Sequence, residues 1–162
     1  MTATLLPRFL SHTELETVIR LAPLIAIDLI IRSARDDVLL GLRKNEPAKG
    51  CYFVPGGMIL KNERLADAFA RLAKTETDHA ASFDDARLIG VFEHFYDNNR
   101  SGNGGYGTHY VVLGYELRWP TANCGGGLSR SYWPQTACTK MPRPIFALQE
   151  GKAPLAYDAM PR

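Results

Sequence analysis

Hydrophobic and polar positions along the chain switch between helical and strand-like periods in an order that outlines the architecture. Leu15, Val18 and Ile19 recur at helical spacing. Just ahead, Ser11-His12-Thr13-Glu14 has the form of a capping box, with Ser11 accepting from the Glu14 N–H and the Glu14 carboxylate reaching back. The pattern predicts a helix over about 12–21. Pro23 separates it from Leu24 to Ile31, a β-rich run interrupted only by Asp28. The polar stretch Arg32 to Asp37 turns the chain into Val38 to Arg43, so the two runs read as a hairpin. Cys51 to Val54 is a short apolar strand that Pro55-Gly56-Gly57 breaks, and Asn62 is placed to cap a helix over about 63–78. Arg87 to Tyr96 and Thr108 to Trp119 are long strands rich in Val, Tyr, Phe and Leu. Helix, strands, helix, then two long strands predict an α/β (α+β) chain with a mixed sheet and helices packed on it.

Two stretches break this rhythm. The Gly/Asn-rich segment Asp97 to Gly107 is either a floppy hairpin link or a loop that closes over a ligand. Residues 120–162 are rich in proline, contain Gly125-Gly126-Gly127 and lack histidine. They read as a divergent, poorly regular tail, in which only Leu128–Trp133 and Pro144–Gln149 look able to order, held by Trp133 and Phe146.

Composition narrows the class. At 162 residues and 46% hydrophobic content, the whole chain 1–162 suits one domain with one substantial core. No run of 18 apolar residues occurs, and the first residues lack a basic region followed by an apolar core, so neither a membrane span nor a secretory signal is expected. Cys51, Cys124 and Cys138 are odd in number and widely spaced, which fits a reduced, cytoplasmic protein without a disulfide framework. The net charge is +2 and the bases are scattered, so no nucleic-acid partner is expected.

The chemistry concentrates between Gly50 and Glu76. A strand ends in a double glycine, where the backbone can approach a ligand closely and expose a carbonyl. A helix follows at once, and its first-turn N–H groups suit phosphate. Leu65, Phe69, Leu72 and Glu76 fall within roughly 60° on a helical wheel, so an acid continues an apolar stripe. Burying a carboxylate is costly unless it is paired or coordinated, so Glu76 is either exposed by a frayed last turn or a metal ligand. Magnesium requires an oxygen shell of carboxylates, carbonyls, waters and phosphates.

Gly57, Glu63, Arg71 and Glu76 match the spacing of the Nudix box, while Leu72, Thr75 and Asp78 stand where that box has glutamate, glutamate and glycine. With Val54-Pro55-Gly56-Gly57, this shortened pattern resembles the GDP-mannose mannosyl hydrolase branch of the Nudix superfamily. Pro23-Leu24 with Asp28, Leu39 to Arg43, His94 to Asp97 and Thr108 to Gly114 resemble further motifs of that branch in the same order. The resemblance covers roughly residues 10–119.

The resemblance implies a Nudix-like mixed β-sheet sandwiched between helices, with Mg2+ as cofactor and a GDP-linked sugar as substrate. It implies water attack at the sugar's C1 with inversion, a base activating water opposite the leaving diphosphate. Gly56 (through its carbonyl) and Glu76 would hold the metal. Arg43 would contact the diphosphate, Asp28 the substrate, and His94 and Tyr110 the region of the leaving group. Arg71 would orient Glu63. His109, alternating in face with Tyr110, is expected outward or in an interface, and Tyr52, Phe92 and Phe95 in the core. A homodimer is implied too, with Phe9 and Leu10 in the segment that would reach the partner subunit. Two departures bear on activity. Met58 stands where the branch has an arginine, with Lys61 as a nearby substitute, and the Gln-His pair that supplies a metal ligand and the general base is absent after Trp119. The alternatives are therefore a nucleotide-sugar-binding protein with weak or no turnover, and a Nudix pyrophosphohydrolase attacking phosphorus.

Overall fold

The computed structural model describes residues 8–34, 36–102 and 104–119, and the backbone of 136–139. The first helix, α1 (His12–Leu21), starts as its sequence dictates. Ser11 accepts from the Glu14 N–H, and the Glu14 carboxylate accepts from the Ser11 N–H at 2.8 Å. Strand β1 (Leu24–Ser33) then runs through the centre of the molecule. It pairs antiparallel with β2 (Val38–Leu42), the expected hairpin, and parallel over its full length with the last long strand, β6 (Thr108–Trp119). Outside β2 lies β3 (Tyr52–Phe53), and outside β6 lies β5 (Arg87–Tyr96), giving the order β3-β2-β1-β6-β5.

Three elements differ from the sequence reading. Gly56-Gly57 does not simply break a strand: Gly56–Met58 forms β4, pairing antiparallel with β1 so that Asp28 opposes Gly56. Only glycine tolerates this approach. A Cβ on Gly56 would strike the Ile27 carbonyl and stand 2.8 Å from Asp28 Oδ1, and one on Gly57 would stand 2.8 Å from Leu72 Cδ2. The second helix, α2, spans Leu65–Thr77, starting later than expected. Asn62 does not cap it; it has φ of 68°, in a turn before the helix, and Arg64 holds the cap position without a side-chain bond. A further strand, β7 (Thr136–Thr139), pairs antiparallel with β2 in the tail that was read as irregular. Leu128–Trp133 and Pro144–Gln149 lie outside the described residues.

Strand alternation divides the sheet into two faces. On one, Ile27, Leu29, Ile31, Tyr115 and Leu117 meet Ala68, Phe69, Leu72 and Ala73 of α2 in the main core. Phe69 is fully buried at its centre, with its ring edge-on to Phe83 and Tyr115 at centroid distances of 5.5 and 5.7 Å. The opposite face presents Leu24, Ala26 and Asp28 of β1 and Tyr110 and Val112 of β6, with Leu15 and Ile19 of α1 lining the same cleft. The result is a mixed sheet between two helices, as expected.

Candidate active site

A cleft of about 370 Å³ opens on this second face, and its wall continues past β4 to α2. Asp28, Arg43, Gly56, Arg71, Glu76, His94 and Tyr110 all line it. The sequence scattered these residues over five elements and the end of a sixth, β2, and the sheet brings them together. Leu24 registers with Tyr110, and Tyr110 with His94 across β5–β6, so Tyr110 and His94 are neighbours on one face, with Asp28 further along β1 opposite Gly114.

Asp28 projects from β1 into the cleft, where it is half-buried. Burial pushes its carboxyl up to about 7, and the Arg43 charge partly opposes that rise. Arg43 follows β2 directly, its N–H donating to the Cys51 carbonyl at 2.9 Å and its guanidinium lying 5.3 Å from the Phe53 ring centre. That contact and the β2–β3 pairing fix the arginine's direction toward the cleft.

Arg71 does orient Glu63. Its Nε and Nη2 donate to the two Glu63 oxygens at 2.6 and 2.8 Å, and Nη2 also donates to the Met58 carbonyl at 2.9 Å. The Leu60 N–H donates to Glu63 as well, at 2.9 Å. These bonds brace the turn from β4 to α2, holding Gly56 and Glu76 on the same cleft. Glu76 is half-buried within the last turn of an intact helix, not frayed from it.

His94 and Tyr110 face the cleft from β5 and β6. Burial lowers the His94 pKa, favouring the neutral ring, and raises that of the Tyr110 hydroxyl. Tyr96 joins them, stacked on His94 at 6.3 Å and edge-on to Tyr110 at 6.1 Å. The sequence reading singled out neither Tyr96 nor Lys44 nor Arg100 as a site residue, though all three line the cleft. For Tyr96 the signal was available: it lies two residues beyond His94 and so shares its face.

His109 points to the opposite face, as expected, stacked on Phe95 at 4.2 Å with Nε2 3.5 Å from the Glu93 carboxylate. Phe95 is not a core residue: 62% of it is exposed. Tyr52 packs against the smaller cluster of Ile30, Val38 and Leu40, and Phe92 lies over Gly90 and Gly114. Lys61 does not line the cleft; its backbone bridges to Arg8. The described residues of 97–107 are tied to one another. Asn99 is fully buried, donating to the Tyr106 carbonyl at 2.9 Å and accepting from the Ser101 N–H at 3.0 Å. Asn98 donates to Glu46 at 2.9 Å, and Arg20 of α1 lies 5.9 Å from the Tyr106 ring centre.

Sheet, helix and cleft together define the NUDIX domain family, whose pattern the chain matches over residues 22–126, and the chain belongs to that family. Nudix hydrolases generally use divalent metal ions such as Mg2+. Among curated relatives, the chain is 41% identical over 104 residues to a low-salt glycan biosynthesis protein of Haloferax volcanii, a match covering 64% of each. It is 42% identical over 57 residues to an ADP-ribose pyrophosphatase of Methanocaldococcus jannaschii, covering 35% of this chain and 33% of that protein. The chain thus matches less than two thirds of the length of either relative. Its fold superposes on a MutT NUDIX hydrolase from Burkholderia pseudomallei with a TM-score of 0.55 at 23% identity, covering 75% of this chain and 88% of that one. No described helix is long and apolar enough to cross a membrane.

Proposed function

We propose that the protein hydrolyses a GDP-linked hexose, GDP-mannose or GDP-glucose, to GDP and free sugar by water attack at C1 with inversion. The observation that carries this reading is the single cleft onto which Gly56, Glu76, Arg43, Asp28, His94 and Tyr110 open. An anionic diphosphate would lie near the Arg43 fork and the Tyr110 hydroxyl, with the sugar toward Asp28 and His94. Leu72 supports the same reading. A third box carboxylate would assist attack at phosphorus, yet here the position is a core leucine only 3% exposed.

Magnesium fits the donors present, as a loosely held ion. Among the described residues no group of three or more His, Cys, Asp or Glu is placed to cage a metal. The Gly56 carbonyl and Glu76 carboxylate would hold it, with water and substrate phosphate completing the shell. When bound, it would neutralise charge on the departing diphosphate. Arg71 acts as a positioning residue, since its donors are engaged by Glu63 and the Met58 carbonyl. Without the Gln-His pair, turnover falls by about 10²–10⁴ relative to a site with a placed base. His94, neutral and facing the cleft, is the side chain we propose accepts the proton from water. We also propose a homodimer, supported by the exposure of Phe9 beside α1.

The test is product analysis with magnesium and GDP-mannose in oxygen-18 water. Free mannose carrying the label, with GDP, supports attack at carbon; label in phosphate sinks it. A second reading, a pyrophosphohydrolase attacking phosphorus, draws on the match to the ADP-ribose pyrophosphatase. It expects GMP and mannose 1-phosphate. Magnesium-dependent binding without products would leave a nucleotide-sugar-binding protein.

A further inference from the structure

Arg43, Lys44, Arg71 and Arg100 are the cationic side chains lining the cleft. Three are engaged within the fold, Lys44 among them. Arg71 is bound to Glu63 and the Met58 carbonyl, and Arg43 lies over Phe53 with its charge acting on Asp28. Arg100 differs. It is exposed at the cleft rim, and among the described residues its guanidinium has no ion pair or hydrogen bond.

Its backbone is nonetheless fixed. The preceding residue, Asn99, is fully buried and anchors the loop at Ser101 and Tyr106; Thr108 donates to the Asn98 carbonyl at 2.8 Å. Asn98 also bonds Glu46, joining this loop to the segment that follows Arg43. A guanidinium without a partner among the described residues is thus carried to the cleft on a braced support, which lowers the ordering cost of using it. Electrostatics point the same way. Arg43 and Arg100 both lie near enough to Tyr110 for their charges to bear on its hydroxyl. An anion held at this part of the cleft would meet both cations.

We infer that Arg100 is a phosphate-binding residue, reaching from the 97–107 loop to contact the substrate diphosphate opposite Arg43 and Tyr110. This rests on the reading of the cleft as a diphosphate site, and it assigns to that site a contact the box sequence does not contain. Arginine suits the role because its planar fork can engage two phosphate oxygens at once.

The experiment measures inorganic pyrophosphate binding with magnesium by calorimetry, in wild type, Arg100→Gln and Arg100→Lys, alongside GDP-mannose kinetics. Loss of one charge-assisted contact raises the pyrophosphate Kd about tenfold in Arg100→Gln, less in Arg100→Lys, with guanosine binding unchanged. KM for GDP-mannose rises by a similar factor while kcat changes little. Unchanged pyrophosphate affinity in Arg100→Gln, or no pyrophosphate binding to wild type, overturns the inference. If wild type releases no mannose but Arg100→Gln still weakens pyrophosphate, the glycosyl-hydrolase reading fails and the role of Arg100 stands.

Discussion

At the scale of single residues, two positions do structural work that supports the chemistry nearby. Gly56 has no room for a side chain against Ile27 and Asp28. Gly56→Ala should lower stability by about 1–3 kcal/mol, because main chain on both sides must shift, and urea unfolding would register it. It should also weaken any magnesium response, since the displaced carbonyl is the proposed ligand. Glu63 is a different case. Its hydrogen bonds to Arg71, opposed by burial, hold its carboxyl below the ordinary value of 4.5. The pair's contribution is therefore complete above 4.5 and disappears as pH falls through the lower folded value. Glu63→Gln should cost about 2–3 kcal/mol at pH 7, the order of lost charge-assisted hydrogen bonds. The Tm difference from wild type should narrow in acid; a gap of constant size down to pH 3 would refute the assignment.

At the scale of elements, composition left the loop 97–107 open between a slack link and a loop that closes over a ligand. One buried asparagine, Asn99, ties its described residues to one another. Asn99→Ala should cost about 1–3 kcal/mol and speed amide exchange at Ser101 and Gly102, leaving amides of β1 protected. Uniform exchange across both would argue against a locally anchored loop. Helix α1 and the strands β5 and β6 were legible because each has a strong local signature: a complete capping box, or a run of β-branched and aromatic residues between turn formers. The start of α2 was not, because a cap prediction from Asn62 ignores that the residue adopts a left-handed turn ahead of the helix. Strand β4 was hidden for a related reason. Its glycines have low strand propensity and are held by the neighbouring backbone of β1, a long-range contact that no local window contains.

At the scale of the whole molecule, the candidate site was legible where a motif carried its spacing, as with Gly56, Arg71 and Glu76. Asp28 could be picked out because an acid inside an apolar strand needs a reason. Arg100 and Lys44 could not, since charged residues in polar loops look alike until tertiary contacts point some of them inward. If the cleft takes a magnesium-bound diphosphate, then GDP with magnesium at about 100 times its Kd should add about 2.7 kcal/mol to stability, and chelation by EDTA should remove it. A thermal shift of equal size with and without EDTA would exclude the metal from that binding.

The parallel alliance of β1 with β6 also has a bearing on biosynthesis. The first strand must wait for nearly the entire described chain to emerge before its principal neighbour exists, so translation exposes Ile27, Leu29 and Ile31 for most of the time the ribosome is at work. Nascent chains arrested before Thr108 should consequently be sticky and chaperone-dependent. Arrest beyond Trp119, with enough linker to clear the exit tunnel, should release a force as the sheet closes.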